Sequence, residues 1–499
     1  MKNLFKTISG SVVAPQGFLA GGVFCDIKRL GTGKGSNKGN KRDLALIVSE
    51  VSATVAGMFT TNQVCAAPVK VCVERVKKGT AQAIVVNSGN ANACTGKQGL
   101  KDAREMTRIA AFAVAVPLCG MSSRPSSSRK YRPRSDERSY GLPAERVLVA
   151  STGRIGVTLP MANVKRGILA VAKLLGNSSN HAAQAAEAIM TSDTRPKQIA
   201  VEFKLGGKTV RMGGICKGAG MIQPGMSTNG QRPAALSKGG LHATMLCFIT
   251  TDVAIEAKTL QAALQGAVAQ SFNRITVDGD MSTNDTVLVL ANGLARNPSL
   301  VAADVRRLNS KKGKVRASLP RLLRDFEVFQ AALNYICLEL AKMIVRDGEG
   351  VHRVVTVRVN GARTVVDADA AARAVANSPL VKTSWHGGDP NWGRIIAALG
   401  YSPAKIVEEK VDIGYSSAFA SDASARRGGR RKILWSLKHG QPTSATFKEL
   451  CAAVAPKEFD LHIHLNLGAA SAVIYAADLT EEYVDFNKGD VGDPGSLGG

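Results

Sequence analysis

Short β-branched runs take turns with helix-length amphipathic segments along this chain, and that alternation constrains its fold more than any other feature. DLALIVSEV at 43–51 and AQAIVVN at 81–87 read as buried strands, being short, β-branched and bounded by turn residues. VLVAS, ending at Ser151, and TVLVLA at 286–291 read the same way. Residues 101–116 read as a helix, as do segments near 163–175, 181–191 and 257–271. The clearest helix covers 326–345, where Phe329, Ala332, Leu333, Ile336, Leu340, Met343 and Ile344 share one face. Late strands start near 351, 460 and 471. Interleaved strands and helices give a fold of the α/β (α+β) class.

Four stretches interrupt the pattern: 121–140, 227–241, 306–324 and 418–445. They are rich in Ser, Gly, Lys and Arg and cannot bury an apolar face, so they read as solvated loops or insertions. They also carry much of a charge excess of 65 Lys and Arg over 39 Asp and Glu, a net +26. Such a balance can signal a nucleic-acid partner. Aromatics for base stacking make up only 5% of the chain, which argues against one. No uninterrupted apolar run of membrane-spanning length is seen, and the N-terminus lacks the apolar segment of a signal peptide. Nine cysteines, an odd number without a C-x-x-C pair, read as buried free thiols in a reducing compartment. The expectation is a cytoplasmic protein.

Several motifs suggest chemistry that their spacing does not support. GTGKGSNKGNK at 31–41 lacks the spacing of a phosphate-binding loop and precedes a strand, so it reads as a hairpin loop. DGDMSTND at 278–285 starts like a calcium loop, but Thr283 and Val289 stand where Gly and Glu are needed. It reads as a polar turn able to form the wall of a polar site. His462 and His464 share a strand face without a third ligand nearby in sequence, so no metal site is expected. More informative is CKGAGMI at 216–222 followed by HATMLCFITTDV at 242–253. Lys217 beside flexible glycines could hold a carboxylate. Thr244 follows the small residue Ala243, and its hydroxyl could attack the preceding carbonyl in an N-to-O acyl shift. Cleavage there would leave a hydroxyl with its own α-amine as general base.

KGAGMI and ATMLCFITTD resemble the processing site of the arginine-biosynthesis ornithine acetyltransferases, also called glutamate N-acetyltransferases. The resemblance extends in order through GGVFCDIK, TTNQVCAAPVKVC, NSGNANACTG, VLVASTGRIG, AIMTSDTRPK, RITVDGDMSTNDTV, IVRDGEG and SPLVKTSWHGGDPNWGRIIAALGYSP. These motifs cover about three quarters of the chain, and the gaps are the four basic stretches.

The resemblance implies a layered sheet-and-helix sandwich with a smaller C-terminal domain, shared with self-cleaving aminopeptidases. It implies cleavage between Ala243 and Thr244, giving an α chain (1–243) and a β chain (244–499) that assemble as an α2β2 heterotetramer. The implied reaction moves acetyl from N2-acetylornithine to glutamate through an acetylated Thr244, with no metal or organic cofactor. Acetyl-CoA stays open as a second donor. Thr152 and Gly153 match the family's oxyanion-hole motif, and Thr191, Lys217, Thr244, Glu349 and Asn487 its substrate-binding positions. Lys217 is expected to meet a carboxylate and Glu349 an ammonium group.

The chain departs from the family in three places. STNGQRPAALSKGGLH intervenes just before Ala243, Arg154 replaces an apolar residue after Gly153, and the C-terminus lacks the family's final hydroxyl residue. Two alternatives stay open: a self-processed aminopeptidase or amidase of the same fold, and a basic binding protein on an inactivated scaffold.

Overall fold

The computed structural model describes residues 4–28, 41–121, 142–231, 245–300, 314–417 and 433–488, without the side chains of 115–121 and 314–322. Ala243, Thr244, residues 31–40 of the expected hairpin loop at 31–41 and the C-terminal residues 489–499 lie outside the described residues, as does most of the stretches 121–140, 227–241 and 418–432.

Ten strands form the larger sheet. In chain order they are β1 (Phe5–Ile8), β2 (Phe18–Val23), β3 (Leu44–Thr60), β4 (Thr80–Asn90), β5 (Val147–Arg154), β6 (Lys197–Leu205), β7 (Lys208–Lys217), β8 (Met226–Ser227), β9 (Leu246–Thr251) and β11 (Thr286–Ala291). Their order is β1-β6-β7-β9-β11-β3-β4-β5, with β2 and β8 also pairing with β3. β9 and β11 run parallel, as do β4 and β5.

This sheet is folded over on itself. In a flat sheet β11 and β5 would lie three strand spacings apart, about 14 Å. Yet Asn284, two residues before β11, donates from Nδ2 to the Ser151 carbonyl in β5 at 2.8 Å and to Ala91 O at 2.7 Å. The fold line is β3, seventeen residues long, with a bulge between Val48 and Ala53. Its first half pairs with β2 and β4, and its second half with β11 and β8. Extra twist at a bulge is the expected way to bend a long strand.

Alternation along the strands feeds two cores. Leu246, Phe248, Leu288 and Leu290 join one, while Cys247, Ile249, Val287 and Val289 join the other. The first core takes in α1 (Ala67–Val76), α2 (Gly96–Met121), α3 (Met161–Lys173) and α4 (Ser179–Ala188); the second takes in α5 (Ala257–Ala269) and α6 (Lys314–Arg346).

The helix α6 is longer than its periodic face predicts. Residues 314–324, read from sequence as part of a solvated insertion, continue it instead. Lys, Arg, Leu and Ala are good helix formers, and extending an existing helix is cheap. Within it, Leu323–Arg346 is long and apolar enough to cross a membrane by length and composition, although charged residues interrupt its apolar run. Half of its most apolar window is buried within the protein, and Phe329, Leu333, Ile336 and Leu340 are fully buried in the second core.

A second sheet uses β10 (Ile275–Thr276), β12 (Val354–Ala362), β13 (Asp412–Ser417), β14 (Leu434–Lys438), β15 (Gln441–Pro442), β16 (Glu458–His464) and β17 (Ala470–Ala477). With α7 (Val365–Asn377), α8 (Pro379–Gly387), α9 (Trp392–Gly400) and α10 (Phe447–Val454) it encloses a third, smaller core. Residues 434–442, placed by sequence in a basic insertion, are a paired hairpin, because Ile413 and Gly414 offer β14 an open edge. A short helix, α11 (Glu481–Phe486), ends the described chain. The layered α/β architecture expected from sequence is the one observed.

Candidate active site

Folding the large sheet over brings the end of β5 against the end of β7. Lys217, the last residue of β7, donates from Nζ to Thr152 Oγ1 at 3.3 Å, and both side chains are buried. Lys217 is also the cross-strand partner of Leu246, which pairs in turn with Thr286. The described chain re-enters at Met245, one residue after Thr244. Its N–H donates to Asp285 Oδ1 at 2.6 Å, and its carbonyl accepts from Thr286 N at 3.1 Å.

Beside Thr152, Gly153 has φ +133°. A Cβ there would sit 2.3 Å from the Gly89 carbonyl carbon in β4, so this turn of backbone admits glycine alone. Arg154, which follows, is half-buried, and its carbonyl accepts from Ala91 N at 2.9 Å.

Lys217 belongs to a cluster of four buried charges. Asp193 Oδ1 accepts from Lys197 Nζ at 2.6 Å and from Gly218 N at 2.7 Å, the residue after Lys217. Lys197 also pairs with Asp347, which is bonded to Thr194. Two cations thus face two carboxylates, the balance a buried cluster needs. Burial works against charge on Asp193, but Lys217, Lys197 and the Gly218 N–H outweigh it and hold its carboxyl well below the usual range. Burial lowers Lys217, with Asp193 opposing. At Lys197 burial is outweighed by Asp193 and Asp347, and its pKa is raised. Burial pushes Asp285 well above the carboxylate range, against the Met245 N–H and Lys217. Its Oδ2 has no hydrogen-bond partner among the described residues.

The other expected residues join the same cluster. Thr191 donates its N–H to Asp193 Oδ2 at 2.9 Å. Glu349 donates its N–H to Ala219 O at 2.9 Å, and its carboxylate lies against Gly220, where a Cβ would sit 2.3 Å from Oε2. Asn487, at the end of α11, donates from Nδ2 to Glu349 Oε2 at 3.1 Å. Every expected site residue among the described ones therefore belongs to one connected assembly. Sequence reading missed Asp193, Lys197, Asn284, Asp285 and Asp347. All five sit inside or beside motifs that were recognised, but a carboxylate in a turn carries no sign in the sequence that it neutralises a lysine from another strand. The turn before β11 does form a polar wall, through Asn284 and Asp285. Among the described residues no group of three or more His, Cys, Asp or Glu is arranged to hold a metal ion. His462 instead shares a hydrogen bond with Ser416 Oγ at 2.8 Å, and His464 packs edge-on to Trp435.

The pattern of the ArgJ family matches residues 29–489. The chain belongs to the ArgJ family. One ArgJ relative, the arginine biosynthesis bifunctional protein ArgJ of Symbiobacterium thermophilum, is 42% identical over 482 residues, spanning 96% of this chain and 98% of that protein. The glutamate N-acetyltransferase of Methanocaldococcus jannaschii is 40% identical over 489 residues, spanning 97% and 98%. A solved ornithine acetyltransferase from Mycobacterium tuberculosis, in complex with ornithine, is 33% identical, covering 45% of this chain and 100% of that one at a TM-score of 0.35. The residues of the Lys217–Thr152 cluster all lie within the matched span.

Proposed function

We propose that this ArgJ-family site transfers acetyl from N2-acetylornithine to glutamate, with Thr244 carrying the acetyl group between them. The protein is an acyltransferase of arginine biosynthesis with glutamate N-acetyltransferase activity. The observation that carries the assignment of roles is the buried Lys217–Thr152 contact beside the strand that begins two residues after Thr244.

Processing comes first. Thr244 Oγ attacks the Ala243 carbonyl, the peptide C–N bond breaks, and an ester forms with a free α-amine at Thr244. Water hydrolyses the ester and leaves Thr244 as a chain terminus. In turnover, Thr244 Oγ attacks the acetyl carbonyl and its α-amine takes the proton. Collapse of the tetrahedral intermediate breaks the bond to ornithine's nitrogen, which receives that proton. Glutamate's neutral amine then attacks the ester carbon, the C–Oγ bond breaks, and a proton returns to Oγ.

A hydroxyl has one proton and two lone pairs. Because Thr152 accepts from Lys217, its own proton is free to point at a developing oxyanion, beside the Gly153 backbone. A donor fixed before the reaction stabilises charge without reorganisation. Glu349 meets the substrate ammonium, held by Asn487, and Thr191 supplies a polar contact. Lys217 offers its charge to oxyanion or carboxylate, with Asp193 balancing it. None of these steps calls for a metal or organic cofactor; acetyl-CoA would enter as an alternative acetyl donor to the same Thr244. The α2β2 assembly and the cytoplasmic setting belong to the same reading. Initial rates test it: varying acetylornithine at several fixed glutamate concentrations should give parallel double-reciprocal lines. Acetylornithine hydrolysis unaffected by glutamate would favour an amidase instead.

A further inference from the structure

Away from Thr152 and Lys217, a cavity of about 710 Å³ opens between the end of α6, the start of β12, α8 and the turn before β16. Its lining is strongly cationic. One carboxylate lines it, Glu458, and both its oxygens are taken by Arg346 at 2.7 and 3.0 Å. Three cations remain beyond that pair. Arg195 is 62% exposed, and its nearest carboxylate is Asp347, at 3.8 Å. Arg353 is fixed by donating from Nη1 to Val454 O at 2.6 Å and by resting beside Gly388, which leaves N–H groups of its fork uncommitted. Lys457 is exposed and makes no ion pair among the described residues. Two histidines complete the lining, each set against carboxylates behind the wall: His386 Nδ1 lies 3.5 Å from Asp478 Oδ2 and its Nε2 3.6 Å from Glu481 Oε2, and His352 Nε2 lies 3.1 Å from Glu482 Oε1.

We infer that this cavity is a binding site for a phosphate-bearing small molecule, separate from the acetyl-transfer site. Planar guanidinium forks and an ammonium around one space match the several oxygens of a phosphate better than the two of a carboxylate. The volume is of the size that takes a whole small molecule rather than a lone ion. The free group could be inorganic phosphate or a phosphate carried on a nucleotide. The site backs onto the active-site cluster: Arg195 follows Asp193 by two residues, and Arg346 immediately precedes Asp347.

Calorimetric titration of the full-length protein with inorganic phosphate, and separately with adenosine 3′,5′-bisphosphate, tests this. Saturable one-site binding of at least one probe is expected. Tighter binding of the bisphosphate identifies a nucleotide-borne phosphate, and equal binding identifies free phosphate. The double variant Arg195→Ala/Lys457→Ala, which changes exposed side chains, should weaken the dissociation constant by roughly tenfold or more. Its thermal unfolding should match the parent. The control Lys165→Ala/Lys173→Ala, in another basic groove on α3, should bind as the parent does. Absence of saturation by either probe, or equal weakening by the control pair, would overturn the inference.

Discussion

Thr152 is the residue on which the proposed chemistry turns most directly. Its hydroxyl accepts from Lys217, so removing it takes away one oxyanion donor and leaves a buried ammonium without that partner. Thr152→Ala should lower kcat by roughly 10²–10³, while Thr152→Ser keeps the donor and should retain most of the activity. Steady-state kinetics on folded protein distinguish the two, and unchanged turnover in the Ala variant would remove Thr152 from the mechanism. Asp193 makes a prediction about acid stability. Its folded pKa is depressed, so its contribution is present above the ordinary carboxylate value of about 3.9 and is lost as pH falls through its lower folded value. Asp193→Asn should flatten that acid limb in urea unfolding and cost roughly 3–5 kcal/mol at neutral pH, by leaving Lys197 and Lys217 under-neutralised. An acid limb identical to the parent's would contradict the assignment. Lys217 was legible beside its flexible glycines, and Thr152, Gly153 and Glu349 through the family resemblance alone. Asp193 and Asp347 were not, because Asp193 meets Lys217, and Asp347 meets Lys197, only once distant parts of the chain fold together.

At the scale of elements, the position of β9 matters most. It lies between β7 and β11, and every one of its residues is buried. Cleavage before Thr244 would therefore make the first strand of the new chain a central strand of a sheet built by both. The two fragments should co-purify under native conditions and part only on denaturation, as native against denaturing electrophoresis would report; fragments that separate without denaturant would count against this sheet order. The helix α6 carries a second expectation. Leu340 is fully buried, and its Cδ1 would lie 3.0 Å from a Cβ built on Gly214 of β7. Leu340→Ala should cost about 2–5 kcal/mol by chemical unfolding, as cavity-forming changes do. Its periodic face was readable from sequence because burial imposes a 3.6-residue repeat. Residues 314–324 were not, since a basic extension of a helix reads from sequence like a loop. The β14–β15 hairpin was missed for a similar reason: a short edge strand depends on the partner it finds at β13.

For the whole molecule, the alternation of strands and helices was enough to predict layers, but not that one sheet folds over along β3. That geometry rests on long-range pairings, and it alone explains how Thr152 and Lys217, 65 residues apart, share a hydrogen bond. The 16-residue segment before Ala243 bears on the same question of assembly, because cleavage needs the Ala243 carbonyl pressed against the Thr244 hydroxyl. The decisive measurement is mass spectrometry of the purified protein after incubation with acetylornithine without glutamate. The account predicts two fragments meeting at Ala243–Thr244, with a single added acetyl group on the fragment that starts at Thr244 and its loss on adding glutamate. Full-length chain alone, or an acetyl group that never appears on Thr244 while transfer proceeds, would contradict it.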